Sequence, residues 1–154
     1  MTVDDAIEHF SGINRVETKL KIMQEVGLGY LKLGQPSSAL SGGEAQRIKL
    51  ASHIDSSEIN NYLYIFDEPT TGLHLDDISK LINAINRLIE TGNSVIIIEH
   101  NLHIMSVADW IIDLGPEAGF RGGEVVGEGV PEQIALQNTH TGIALKEFLD
   151  GRKL

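Results

Sequence analysis

Leu63-Tyr64-Ile65-Phe66-Asp67-Glu68-Pro69 decides how this chain is read. Its four apolar residues make a short strand, two carboxylates follow at the strand's tip, and Pro69, lacking an N–H, ends the ladder. A carboxylate at the tip of a buried strand can hold a Mg²⁺–water shell beside phosphates. A neighbouring carboxylate can orient or deprotonate an attacking water. Asp67 and Glu68 are therefore the candidates for these two roles, one acid for the metal and one for the water. An isolated Asp-Glu pair would ordinarily cap a turn or helix, but the continuation Pro69-Thr70-Thr71-Gly72-Leu73-His74 makes the pattern more specific.

Downstream, Ile78, Leu81, Ile82, Ile85, Leu88 and Ile89 recur at three and four residues and predict a helix over 76–90, closed by Gly92. The β-branched run at 94–98 predicts a strand buried on both faces. Glu99 and His100 stand at its end. A short helix over 102–107, a strand over 109–114 and a hairpin turn at Gly122-Gly123 leading into 124–126 follow, then helices over 131–136 and 142–149. Trp110 reads as core or interface. Strand, helix, strand, helix, strand predicts an α/β fold, a mainly parallel sheet flanked by helices. Ligands in such sheets gather beyond the carboxyl ends of strands, where Asp67, Glu68 and His100 all fall. A histidine there can hydrogen-bond a terminal phosphate or hold a catalytic water. His53, His74, His103 and His140 form no metal-ligand spacing with it.

Upstream, Thr2-Val3-Asp4-Asp5 predicts a capped helix to about Phe10, and Asn14-Arg15-Val16-Glu17 repeats the capping logic. Val16, Leu20, Met23 and Val26 give the second helix an apolar side, Met23 as core filler, and Gly27 and Gly29 end it. Leu40-Ser41-Gly42-Gly43-Glu44-Ala45-Gln46 opens a third helix, expected over 45–54. Its glycines leave backbone N–H groups open to an anion, the helix adds its positive end, and Ser41 with Glu44 forms a possible capping box. Ser41, Gly42 and Gly43 are the anion-binding candidates of this stretch. Arg47 and Lys49 are too few for a nucleic-acid patch. The polar stretch 55–61 reads as a surface link.

At 154 residues the chain has the length of about one domain. With 12 Lys+Arg against 22 Asp+Glu and a net charge of −10, it is no simple basic nucleic-acid binder and a poor partner for an anionic membrane. With no cysteine, it can hold no disulfide, thiolate nucleophile or Cys-based zinc site. The first residues lack a signal-peptide pattern, and no apolar run is long enough for a bilayer. A cytoplasmic location is expected. No stretch matches Gly-x-x-x-x-Gly-Lys-Ser/Thr, so the chain carries the metal and water side of a phosphoryl-transfer site without the phosphate cradle.

These motifs resemble those of the ABC ATPases. Residues 40–44 are similar to the signature, 63–69 to the Walker B strand with its catalytic glutamate, 71–74 to the D-loop, and His100 to the switch histidine. More narrowly, 26–36, 40–51, 66–74, 98–102 and 108–117, with 2–6, resemble the C-terminal part of the UvrA family, the first component of the bacterial excinuclease ABC. The resemblance covers nearly the whole chain. It implies a partial ABC-ATPase nucleotide-binding domain of P-loop NTPase type lacking the P-loop: the end of the second module over 1–154, with a signature-helix region at 1–62 and the Walker B, D-loop and switch-histidine region at 63–154.

The resemblance further implies an ATPase of nucleotide excision repair that uses ATP and Mg²⁺. In it Asp67 helps hold the metal, Glu68 polarises water, and His100 senses the terminal phosphate. Ser41, Gly42, Gly43 and Gln46 face ATP held by the Walker A loop of another module. Implied partners are the rest of the chain's own module, the other ABC module, a second copy of the full protein, the excinuclease component UvrB and damaged double-stranded DNA, with no membrane. The family's zinc cysteines are outside this sequence, and the chain alone is expected to be inactive as an ATPase. Alternatives are an ABC ATPase fragment of a transporter or chromosome-maintenance protein, or a non-enzymatic interaction domain.

Overall fold

Thr2 starts the first helix as the sequence predicts. Its hydroxyl accepts from the Asp5 N–H while the Asp5 carboxylate accepts from the Thr2 N–H, a complete capping box for α1 (Val3–His9). The computed structural model describes residues 1–54, 61–117, 119 and 122–151; the expected link at 55–61 lies almost wholly outside the described residues. The chain divides into two units, Met1–Glu99 and His100–Leu154.

In the first unit, α2 (Asn14–Glu25) departs from its expected cap. Ile13 occupies the N-cap without a side-chain bond, and Glu17 reaches back past Asn14 to accept from the Gly12 N–H. The end of α2 is as expected: Gly27, at φ 76°, follows the C-cap, and the N–H groups of Gly27 and Leu28 donate to the carbonyls of Gln24 and Met23. That pair of bonds closes the helix through a left-handed residue, which glycine adopts without a Cβ penalty. A 3-10 turn (Ser37–Ala39) leads to α3 (Gly42–Ile54). Strand β1 (Leu63–Asp67), helix α4 (Leu75–Glu90) and strand β2 (Ser94–Ile98) form a β-α-β unit, with β1 and β2 parallel and Asp67 opposite Ile98. Ile78, Leu81, Ala84, Ile85 and Leu88 of α4 are buried, the stripe that the sequence periodicity marks. Of these, all but Ile78 join Val3, Ala6, Leu20, Val26, Leu28, Leu50 and Phe66 in one core. Asn93 ties the turn after α4 to the start of β1: its amide donates to the Leu88 carbonyl, and its oxygen accepts from the Tyr62 N–H.

In the second unit, α5 (Leu102–Met105) is capped by Asn101, and β3 (Ile111–Gly115) pairs antiparallel with β4 (Glu124–Gly129) across a bulge at Asp113/Leu114. Helices α6 (Pro131–Ile134) and α7 (His140–Gly151) follow, with Ile134, Ala135 and Leu145 forming a small core.

The mainly parallel sheet expected from the sequence does not form. Among the described residues helix outweighs strand, 51% to 18%, and the strands make two two-stranded sheets, so this is not a sheet-dominated P-loop NTPase fold. The third strand finds its partner in the next one along the chain, a local pairing whose loop closure costs little entropy. Nor is β2 covered on both faces. Ile96 and Ile98 are exposed alongside Leu63 and Ile65 of β1, while Tyr64, Phe66, Val95 and Ile97 face the core. Trp110 is exposed rather than a core residue in its unit.

Candidate functional site

The strand tip places both carboxylates in solvent. Asp67 is the last residue of β1, and Glu68 follows with φ 45°, the only non-glycine left-handed residue among those described. A side chain in that conformation costs roughly 1–2 kcal/mol. The backbone around it is held on both sides: the Glu68 N–H donates to the Ile98 carbonyl at 2.9 Å, and its carbonyl accepts from the Thr71 N–H at 3.1 Å.

The turn beyond Glu68 is pinned from two elements. Arg47 of α3 is 1% exposed, the one buried charged side chain among the described residues. Its Nη1 donates to the Pro69 carbonyl at 2.9 Å and more weakly to the Thr71 carbonyl at 3.5 Å. From the end of β2, Glu99 Oε1 accepts from both the N–H of Thr70, at 2.9 Å, and its hydroxyl. Sequence reading missed Arg47 as a structural group. A lone arginine on a helix face otherwise rich in small and apolar residues was the available signal.

The segment from Ser41 to Gln46 starts α3 with the expected capping box. The Ser41 N–H donates to Glu44 Oε2 at 2.7 Å, and the Glu44 N–H donates to Ser41 Oγ at 3.3 Å. Ser41 and Gly42 are exposed, and Gly43 is buried. A Cβ at Gly43 would lie 3.2 Å from Arg47 Nη1 and 3.3 Å from the Thr71 carbonyl, so the glycine lets α3 approach the turn after β1. Gln46 is half-buried, and its Oε1 has no hydrogen-bond partner. The structure thus joins α3 to the carboxylate turn within one unit. His100 is exposed and opens the second unit.

Glu44 also accepts from the Tyr30 hydroxyl at 2.7 Å. The bonds from the Ser41 backbone and then from Tyr30 hold the Glu44 carboxyl below the ordinary glutamate value, while burial and the Glu44 contact push the Tyr30 hydroxyl up. A depressed carboxyl stabilises the fold above the unfolded value and loses that contribution as pH falls through the folded one. Tyr30→Phe is therefore expected to flatten the acid limb of a stability–pH curve below about pH 4.5. Superimposable acid limbs for the two proteins would refute the link.

Among the described residues no group of three or more His, Cys, Asp or Glu could hold a metal by itself, and no helix is long and apolar enough to cross a membrane. No family model matches the chain. Over 94% of its length it is 55% identical to UvrABC system protein A of Thermus thermophilus, and over 97% it is 55% identical to that of Aquifex aeolicus. The chain is homologous to a segment of UvrA. It spans about 16% of the length of the curated UvrA relatives it matches. The crystal structure of UvrA2 from Deinococcus radiodurans superposes with a TM-score of 0.86 at 43% identity, covering 97% of this chain and 18% of that one. The UvrA likeness therefore extends through both units.

Proposed function

We propose that this chain is the C-terminal part of a UvrA protein, the damage-recognition ATPase of nucleotide excision repair, and that it supplies the signature, the Walker B strand, the catalytic glutamate and the switch histidine to ATP sites completed by other segments. The identity of 55% to UvrA relatives along almost the entire chain carries this reading.

In this reading Asp67 holds Mg²⁺ through water, Glu68 polarises the attacking water, and His100 contacts the terminal phosphate. Ser41, Gly42, Gly43 and Gln46 face nucleotide held by another module. The donor set fits magnesium: exposed carboxylate oxygens at a strand end, too few to cage an ion, suit a cation that keeps waters and shares phosphate oxygens. When bound, Mg²⁺ neutralises charge on the phosphates. Glu68 is exposed, so its carboxylate can accept a proton from a water beside the strand tip. At the start of α3, Gly42 is exposed and the helix dipole favours an anion, while the N–H groups of Ser41 and Glu44 are taken up by the capping box. A cytoplasmic setting, a dimer of the full protein, the excinuclease component UvrB and damaged duplex DNA belong to the same proposal; zinc would be bound by other segments.

Calorimetry with Mg²⁺ and ATP tests the split site. The chain alone is expected to give no binding heat. Mixed with a segment carrying the Gly-x-x-x-x-Gly-Lys-Ser/Thr loop, it is expected to bind and hydrolyse ATP. Tight binding by the chain alone, or an inert mixture of folded parts, would overturn the proposal.

A further inference from the structure

The turn that follows Glu68 is gripped by a carboxylate with no role in the scheme above. Glu99, just beyond β2, is partly buried, and its Oε1 accepts from both the backbone N–H and the hydroxyl of Thr70. Two residues before Thr70, Glu68 holds its left-handed backbone with its N–H on the Ile98 carbonyl. Ile98 and Glu99 are consecutive, so the end of β2 grips the chain at both Glu68 and Thr70. A non-glycine residue keeps such a conformation only where its surroundings over-determine it. A doubly accepting carboxylate is a strong local restraint.

We propose that Glu99 is a positioning residue for Glu68, acting through Thr70 to hold the Glu68 backbone left-handed and so to aim its carboxylate. The inference rests on the reading of Glu68 as the group that polarises water. Its geometric half stands without ATP. An amide oxygen at the same place can accept the same two bonds from Thr70, without the added strength that the carboxylate charge gives them. Thr70 contributes a hydroxyl that serine retains and valine lacks.

The first measurement is the backbone conformation of residue 68 in this chain, read by NMR from its chemical shifts and its HN–Hα coupling. Glu99→Ala is expected to move residue 68 out of the left-handed range, and Glu99→Gln to keep it there. Left-handed signatures in both variants would overturn the proposal. The second measurement is turnover in the ATPase assembled with the missing segments. Glu99→Ala and Thr70→Val are expected to lower kcat about 10- to 100-fold with KM unchanged, and Glu99→Gln and Thr70→Ser to recover it. If Glu99→Ala fails to fold, the Thr70 pair decides: equal kcat for Thr70→Val and Thr70→Ser would overturn the proposal. Failure of the Glu68 assignment itself would show separately, as normal turnover in Glu68→Gln.

Discussion

Glu68→Gln is expected to lower ATP turnover at least about 100-fold in the assembled ATPase while leaving nucleotide affinity unchanged. The amide matches the carboxylate in size and keeps an oxygen that can accept a hydrogen bond, but it takes no proton at neutral pH. Two of the bonds that fix this residue, to Ile98 and from Thr71, use only main-chain atoms. The variant therefore keeps the turn, and with it Asp67 at the strand tip and the link from Arg47 to Pro69. Steady-state phosphate release set against equilibrium nucleotide binding separates the two effects. Turnover unchanged by the substitution would remove Glu68 from the chemistry. Weakened binding with normal turnover would assign it to the ground state instead.

Legibility in the sequence follows the range of the interaction that fixes each feature. The capping boxes at Thr2/Asp5 and Ser41/Glu44 are contacts three residues apart, and both are readable because local spacing determines them. The stripe of α4 and the parallel pair β1/β2 are readable for similar reasons, since a helix period and two short apolar runs separated by a helix constrain their own pairing. Asn14 misleads because Gly12, at φ 89°, offers its N–H to Glu17 first. The sheet misleads because alternation within 109–114 says that a strand forms and not which strand it pairs with. The turn at Gly122-Gly123 permits the antiparallel pairing, but in the sequence the α/β rhythm of the whole chain outweighs it. Among the site residues, the carboxylates and the signature are legible as motifs. Arg47 and Glu99 gain their roles only when α3 and the end of β2 meet the same turn, from 22 and 29 residues away along the chain.

Arg47→Ala is expected to cost the first unit about 3 kcal/mol or more, the largest stability loss of any single substitution considered for this chain. Two contributions add and a third opposes them. Hydrogen bonds from a charged donor are worth roughly 1.5–3 kcal/mol, and here their loss strands the Pro69 carbonyl, whose bond is buried. The long stem of a fully buried arginine packs like an apolar side chain, so truncation leaves a cavity worth roughly another 2 kcal/mol. Against these stands the desolvation of the guanidinium itself, whose Nε finds no partner, and this lowers what the wild-type contact is worth. Arg47→Met isolates the parts: it restores the packed stem and removes the desolvation cost, while the Pro69 carbonyl stays unsatisfied. It is expected to lose about half as much as the alanine variant. Denaturant unfolding followed by a probe within the first unit gives both values, and that choice of probe matters because two units need not unfold together. A loss under about 1 kcal/mol in Arg47→Ala would mean that the turn holds without its tether. Equal losses in the two variants would mean that the carbonyl bond, and not packing, binds the signature helix to the turn that carries Glu68.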